Sequence, residues 1–308
     1  MAPLRRFVRV AAFAVCLAAT PQVGAQLASD VTISAGQGGD LSVSVFSAAY
    51  QATNAQAAVI VGTEVHGLAE RPARGGEPRR LELRYLVTRG PSALSEQSVS
   101  VPLGDEAAIS LARREGVRVL TKLSLAPGRY RVQVTTRDGG NETGSVIHDI
   151  DVPVLTDSSV PIKMSGLLLS SSAVGGLTHA DVEDDHRMLP ITGRPPAARR
   201  AFSRSEKVEV HAELYEEMVP ELEFDQQMKV ITRVRSAGGD LVWETKDDGT
   251  SEALPGGRFG YVHSTLIPVS TFAPGNYVVE VGAETLYGVP GYVSRSVPFT
   301  VISPGATP

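Results

Sequence analysis

Cysteine is almost missing from this chain: Cys16 stands alone among 308 residues. A single thiol excludes an internal disulfide framework and a thiolate metal cluster. Aromatic residues are scarce too, 6% of the chain with one tryptophan, Trp243, which leaves little material for a broad stacking platform. No apolar run approaches the roughly 20 residues that cross a bilayer as a helix. An excess of positive charge is also lacking: 29 Lys and Arg face 34 Asp and Glu, a net charge of −5. That sign disfavours nucleic acid and anionic lipid as partners. Neither a Gly-x-Ser-x-Gly elbow nor a phosphate-cradling glycine loop occurs.

Among the features present, the first 25 residues stand apart. Arg5, Arg6 and Arg9 precede a short apolar stretch over 10–19, and Val23-Gly24-Ala25 offers small residues where a signal peptidase reads. The expectation is a signal peptide over 1–25, cleaved near Ala25, and a secreted or periplasmic product with no membrane span. Cleavage removes three positive charges, taking the net charge from −5 to −8, and removes Cys16. Phe13-Ala14-Val15 is a poor lipobox for lipidation at that cysteine.

A six-residue phrase then occurs twice, Leu125-Ala126-Pro127-Gly128-Arg129-Tyr130 and Phe272-Ala273-Pro274-Gly275-Asn276-Tyr277, with the prolines at 127 and 274, 147 positions apart. Upstream the same spacing aligns Val61 with Val208, Leu81 with Met228, Leu83 with Val230 and Val87 with Val234. Segments near 41–46, 58–65, 81–87, 98–103, 117–125, 130–136 and 146–154 mostly alternate apolar with polar residues, as half-buried strands do. Comparable segments follow at 162–169, 207–215, 227–234, 241–245, 261–268, 277–281 and 294–301. Thirty glycines and twenty prolines suit short strands joined by turns. The expected fold is all-β: two tandem immunoglobulin- or fibronectin-like β-sandwiches related by an internal repeat. The first covers 26–156 and the second 157–303, with a tail at 304–308. One short helical turn is expected within 105–114, and 170–200 reads as a long loop without regular structure.

The repeated phrase has a physical reading. Proline presets φ near −65° and glycine accepts the positive φ that follows. Tyr130 and Tyr277 then open a strand, where immunoglobulin-like sandwiches send a tyrosine hydroxyl back to the backbone. Pro127, Gly128, Tyr130, Pro274, Gly275 and Tyr277 are therefore assigned structural roles. Val132 and Val279 fill the place of the second core cysteine, and Trp243 lies one strand too late for the core tryptophan of antibody domains.

Residues with ligand chemistry are few. His179, Asp181, Glu183, Asp185 and His186 form the richest cluster and are the candidate metal ligands, but no helix fixes their spacing and a solvated acidic loop is the plainer reading. Arg194-Pro195-Pro196-Ala197-Ala198-Arg199-Arg200 reads as a solvated linker, and Asp247-Asp248-Gly249 as a turn. Asp40-Leu41-Ser42-Val43-Ser44 matches the Asp-x-Ser-x-Ser pattern of von Willebrand factor A domains without the βαβ surroundings that pattern requires. His66, His148, His211 and His263 are scattered, and nothing in sequence joins any of them to a nucleophile.

Several phrases together resemble the C-terminal tail of the VWFA-related domain proteins of Acidobacteria. They are 125–134, Gly144 to Pro153, Met164 to Leu169, Arg199 to Arg204 and Val208 to Tyr215. The von Willebrand A domain itself is missing, so the resemblance implies a β-sandwich tail and no metal-dependent adhesion. The expected function is non-catalytic binding or scaffolding outside the cytoplasmic membrane, with no cofactor. Protein contacts would be made through strand edges or the 170–200 loop, whose removal should then leave melting nearly unchanged. A carbohydrate-binding module of the cell envelope is the second reading, with polysaccharide as ligand. A metal-dependent hydrolase built on the acidic-histidine loop is the third.

Overall fold

The computed structural model describes residues 34–36, 39–52, 56–69, 79–139, 142–172, 177–180, 196–217, 227–254, 257–286 and 290–303. The expected signal peptide and the 304–308 tail lie outside these residues. Strands dominate. The first half holds β1 (Ser34–Gly36), β2 (Ser42–Gln51), β3 (Ala57–His66), β4 (Arg80–Arg89), β5 (Ser92–Pro102), β6 (Val117–Leu125), β7 (Gly128–Asp138) and β8 (Thr143–Val152), with one helix, α1 (Glu106–Glu115). The second half holds β9 (Ile162–Met164), β10 (Leu168–Ser171), β11 (Leu177–Ala180), β12 (Ala201–Ser203), β13 (Val208–Glu216), β14 (Gln227–Ser236), β15 (Leu241–Thr250), β16 (Glu252–Leu254), β17 (Arg258–Ile267), β18 (Gly275–Thr285) and β19 (Tyr292–Ile302).

These strands form four sheets. Sheet A runs β1-β2-β3-β6-β11 and sheet B runs β5-β4-β7-β8; sheet C runs β10-β13-β17-β16, with β9 also on β13, and sheet D runs β12-β19-β18-β14-β15. The order β5-β4-β7-β8 in sheet B recurs as β15-β14-β18-β19 in sheet D, and β2-β3-β6 recurs as β10-β13-β17. The 147-residue spacing is kept by β4 and β14 and by β7 and β18. Even the irregularity is repeated, with a register shift at Val87/Thr88 against β5 and at Val234/Arg235 against β15.

Alternation explains the two cores. Leu81, Leu83, Tyr85 and Val87 of β4 point inward with Val132 and Val134 of β7; Met228, Val230 and Val234 of β14 do so with Val279 and Val281 of β18. Each such side chain contributes on the order of 1.5–3 kcal/mol by leaving water. The tyrosine corners close both halves: Tyr130 donates its hydroxyl to the Ala126 carbonyl at 2.7 Å, and Tyr277 donates to the Ala273 carbonyl at 2.7 Å.

The connections differ. In the first half, α1 joins β5 to β6 as a ten-residue helix rather than the single turn expected. Asp105 caps it by accepting from the Ala108 N–H at 2.9 Å, and Gly116, at φ +84°, ends it. In the second half, β16 takes that connecting place.

The stretch 170–200, expected as a loop without regular structure, carries strand among its described residues. β10 runs to Ser171, and β11 pairs parallel with β6, Leu177 beside Val117 and Ala180 beside Leu120. A strand from the second half thus extends a sheet of the first, across the expected joint at 156. Residues 196–200 are not a solvated linker either: Ala197 and Ala198 are fully buried. Asp247, Asp248 and Gly249 lie inside β15 rather than in a turn. That hairpin is longer than its polar tail suggested, because β14 supplies a partner for every one of those residues.

Candidate binding surfaces

Three places in the fold gather polar chemistry: the junction of the halves, the sandwich interiors around two histidines, and the outer side of sheet B. The junction begins with β3, buried from Ala57 to Val65 on both faces. Val59 and Val61 face the first core, while Ala58 and Ile60 meet Phe46, Tyr50, Leu120, Leu168 and Ala198. Gly62 lies under the Phe46 ring, where any Cβ would overlap it. Glu64 is the charged member of this buried face. Its carboxylate accepts from Arg118 Nε at 2.9 Å and Nη2 at 2.6 Å, and from the N–H groups of Ala198 and Arg199 at 3.1 Å each. Burial alone would raise its pKa, but Arg118 and these donors outweigh burial and hold it below the ordinary carboxylate range. Two further bonds cross the junction: Gln51 N–H to Tyr215 Oη at 3.1 Å, and Gly166 N–H to the Ala49 carbonyl at 2.8 Å. Tyr215 in turn donates to Glu213, which also takes the Arg258 guanidinium. Together these groups tie one half to the other.

The histidines are placed by strands, and two of them meet hydroxyls. His148 Nε2 lies 2.9 Å from Ser47 Oγ, wholly buried, and burial lowers its pKa to about 4. His263 Nε2 lies 2.9 Å from Thr232 Oγ1, with Asp247 Oδ2 3.6 Å from Nδ1. Asp247 also accepts from the Tyr261 hydroxyl at 2.6 Å, and burial with this carboxylate pushes Tyr261 up to about 12. The 3.6 Å separation is too long for a hydrogen bond. A Thr–His–Asp line of this kind resembles a nucleophilic triad on paper, yet Thr232 has no exposed surface for a substrate to approach. The Thr232–His263 pair is a buried polar link between sheets C and D, and Ser47–His148, with Ser47 half-buried, links sheets A and B. His66 is exposed at the end of β3, and His211 is buried on β13.

Of the candidate metal ligands, His179 lies on β11, half-buried; Asp181, Glu183, Asp185 and His186 lie outside the described residues. Among the described residues no group of three or more His, Cys, Asp or Glu converges on one point. Likewise no helix there is long and apolar enough to cross a membrane.

Sheet B offers the open surface. Its outward side chains form rows across four strands: Ser100, Glu82, Arg137 and Thr143, then Ser98, Arg84, Thr135 and Ser145, then Glu96, Leu86, Gln133 and Ile147. A groove of about 650 Å³ lies over the first two rows. A second, of about 500 Å³, lies at the Tyr130 end beside Arg129, Arg131 and Asp149. Exposed ion pairs lace the face, Arg84 with Glu96 at 2.5 Å and Arg131 with Asp149 at 2.9 Å; each is worth little in water.

The two rims of sheet B are unlike. β8 is flanked by the start of the chain, where Leu41 N–H bonds the Thr143 carbonyl at 3.0 Å. Among the described residues β5 pairs with β4 alone. Its first five residues, Ser92 to Glu96, are exposed on both faces, Leu94 by 52%. Over eleven residues β5 carries one charge, Glu96, and that charge is turned to Arg84 within the sheet. Alternation is legible only over 98–103 of this strand, because the serines before it hide the pattern.

No family model matches the chain, and no curated protein matches it. Similar solved structures include a beta-glucuronidase of Bacteroides uniformis, at 10% identity and a TM-score of 0.26, covering 78% of this chain and 26% of that one. A putative beta-galactosidase of Bacteroides fragilis aligns at 10% identity and a TM-score of 0.23, over 79% of this chain and 32% of the other. The chain thus spans about a quarter to a third of those proteins' length. At TM-scores of this size the likeness assigns neither fold nor activity.

Proposed function

We propose that this chain is a secreted or periplasmic, non-catalytic scaffold that captures a protein partner by adding a strand to β5. The observation that supports this reading most is the condition of that edge. It is eleven residues long, almost uncharged and, among the described residues, paired on one side only, with its prolines, Pro91 and Pro102, confined to its ends, whereas soluble proteins usually blunt an edge with charge or a covering segment. A partner strand laid beside it gains backbone hydrogen bonds, and its alternate side chains meet the small serine side chains of β5 without a clash. The locked junction suits the role, since it holds the edge on a rigid body.

The test is capture from envelope and culture-fluid fractions on immobilised residues 26–308, beside an Ala93→Lys/Ser95→Lys variant. Both substitutions fall on the exposed first half of β5. A saturable protein band that the variant loses, with melting unchanged, supports strand addition. A band of equal strength on the variant, or none on either, overturns it. A sugar-binding role has its own support in the hydroxyl-lined groove on the neighbouring face.

A further inference from the structure

The larger groove of sheet B has a counterpart in sheet D, and there it is closed. The two sheets superpose row by row through their pairings. Glu82, Arg84, Thr135 and Arg137 stand 147 positions before Lys229, Ile231, Gly282 and Glu284, and they pair in the same way. Thr143 sits opposite Arg137 as Tyr292 sits opposite Glu284. In sheet D the Tyr292 ring lies over Gly282, its Cζ and Cε2 3.3 Å from where a Cβ would stand. Lys229 and Glu284 beside it pair at 3.2 Å. The second sandwich thus lays its own ring over this position and joins Lys229 to Glu284, where the first sandwich has Glu82 across from Arg137 without an ion pair between them among the described residues.

In sheet B the same positions present hydroxyls. Ser98, Ser100, Thr135, Thr143 and Ser145 line the groove, each a donor and an acceptor. Arg137 is exposed on its rim and has no ion-pair partner among the described residues, unlike Glu284 at the matching place. Arg84 is already held by Glu96. On a chain of net negative charge this is a local site with the Arg137 guanidinium outside any ion pair, the Glu82 carboxylate on the neighbouring strand, Arg80 reaching Ser100 from the rim, and a row of hydroxyls between. It lacks the aromatic platform that would select a neutral sugar by stacking.

We infer that this groove binds an acidic sugar, its carboxylate on Arg137 and its ring hydroxyls on the serine and threonine side chains. A guanidinium takes a carboxylate through two parallel hydrogen bonds, and hydroxyl pairs fix the ring's orientation. The site is separate from the exposed first half of β5, so the chain would hold a protein strand at one border of sheet B and a polysaccharide on its face.

Calorimetry or chemical-shift titration with trigalacturonate and with neutral galactotriose on residues 26–308 tests this. Trigalacturonate should bind at least about tenfold more tightly than the neutral trimer, and the margin should shrink with added salt. Arg137→Ala, at an exposed position, should erase that margin while leaving melting unchanged. Thr135→Gly/Thr143→Tyr, which copies the closed arrangement of sheet D, should abolish binding of both. Ala93→Lys/Ser95→Lys should leave sugar binding intact, which separates this site from the strand edge. Equal affinity for the two trimers, or binding untouched by Arg137→Ala, would overturn the proposal; so would no binding of trigalacturonate to the unmodified chain.

Discussion

Sheets B and D occupy the same place in their sandwiches, with the same strand order and the same displaced residue in the hairpin, and they meet solvent differently. The outer rim of sheet D, β15, carries Glu244, Lys246, Asp247 and Asp248, and Arg233 of β14 engages Glu244 at 2.8 Å. The matching rim of sheet B, β5, is a run of serines with a lone glutamate. Inside, the positions reverse. Val99 on β5 faces Leu83 where Asp247 on β15 faces Val230, so the apolar position of the first sandwich is a carboxylate in the second. One half has an apolar residue at that place and an almost uncharged border; the other has a half-exposed carboxylate there and a charged border. Backbone topology tolerates either arrangement, so the fold alone does not require the difference.

The largest expected effect comes from dissolving the junction that lets the halves be compared as one body. Glu64→Ala leaves Arg118 buried without its counter-charge and should cost about 3–5 kcal/mol. Urea unfolding should then separate into two transitions if the halves differ in intrinsic stability; a loss under about 1 kcal/mol would mean the pair contributes no more than a surface one. Acid should act next. His148 is neutral and buried with a folded pKa of about 4, against 6.5 when unfolded. The unfolded chain therefore binds the proton first, and stability falls as pH drops from 6.5 towards 4, by about 3 kcal/mol over the window. His263 is depressed in the same direction by burial, so both halves contribute to this limb. The depressed Glu64 adds a further loss as pH falls below the unfolded carboxylate range. Melting at pH 7, 5.5 and 4, with and without His148→Gln, measures the first half's share.

Smaller effects sharpen the contrast. Tyr130→Phe and Tyr277→Phe should each cost about 1 kcal/mol by deleting one hydrogen bond. Tyr277 packs between Phe272 and Phe299, with centroids at 5.2 and 5.7 Å, so its ring stays in place. Unequal losses in calorimetry would show that the two corners carry different loads. Smallest in stability, within about 0.5 kcal/mol, should be Lys246→Ser/Asp248→Ser on β15. Light scattering should nevertheless reveal concentration-dependent association, because the substitutions give sheet D the bare border of sheet B.

Much of this fold could be read from the residues. Alternation placed β4, β6, β7 and β14, and the doubled Pro-Gly-x-Tyr phrase marked two tyrosine corners with the same hydrogen bond. What escaped shares one cause, that contacts between distant segments replace local pattern. β11 is four residues whose strand character comes from β6, 60 positions earlier in register. Ala197 and Ala198 look like linker residues because alanine and proline are silent about burial; the Leu169 carbonyl holds the first and Glu64, far upstream, holds the second. Asp247 read as a turn residue because its neighbours are polar, and only the pairing with β14 shows it inside a strand. The open groove was invisible for the same reason: its outline appears only when four strands are laid side by side and compared with four others.

The parallel attachment of β11 to β6 also sets a schedule for synthesis. While the chain grows from its N-terminus, sheet A reaches β6 with that strand's outer border bare, and the residues that cover it are made about 60 positions later. The glutamate of β3 waits longer still, for the N–H groups of Ala198 and Arg199. A nascent chain stopped near residue 156 would expose an unpaired border and an uncovered apolar face at once, the combination that draws chaperones and favours misassociation. The first half therefore becomes self-sufficient only after roughly a third of the second has been made.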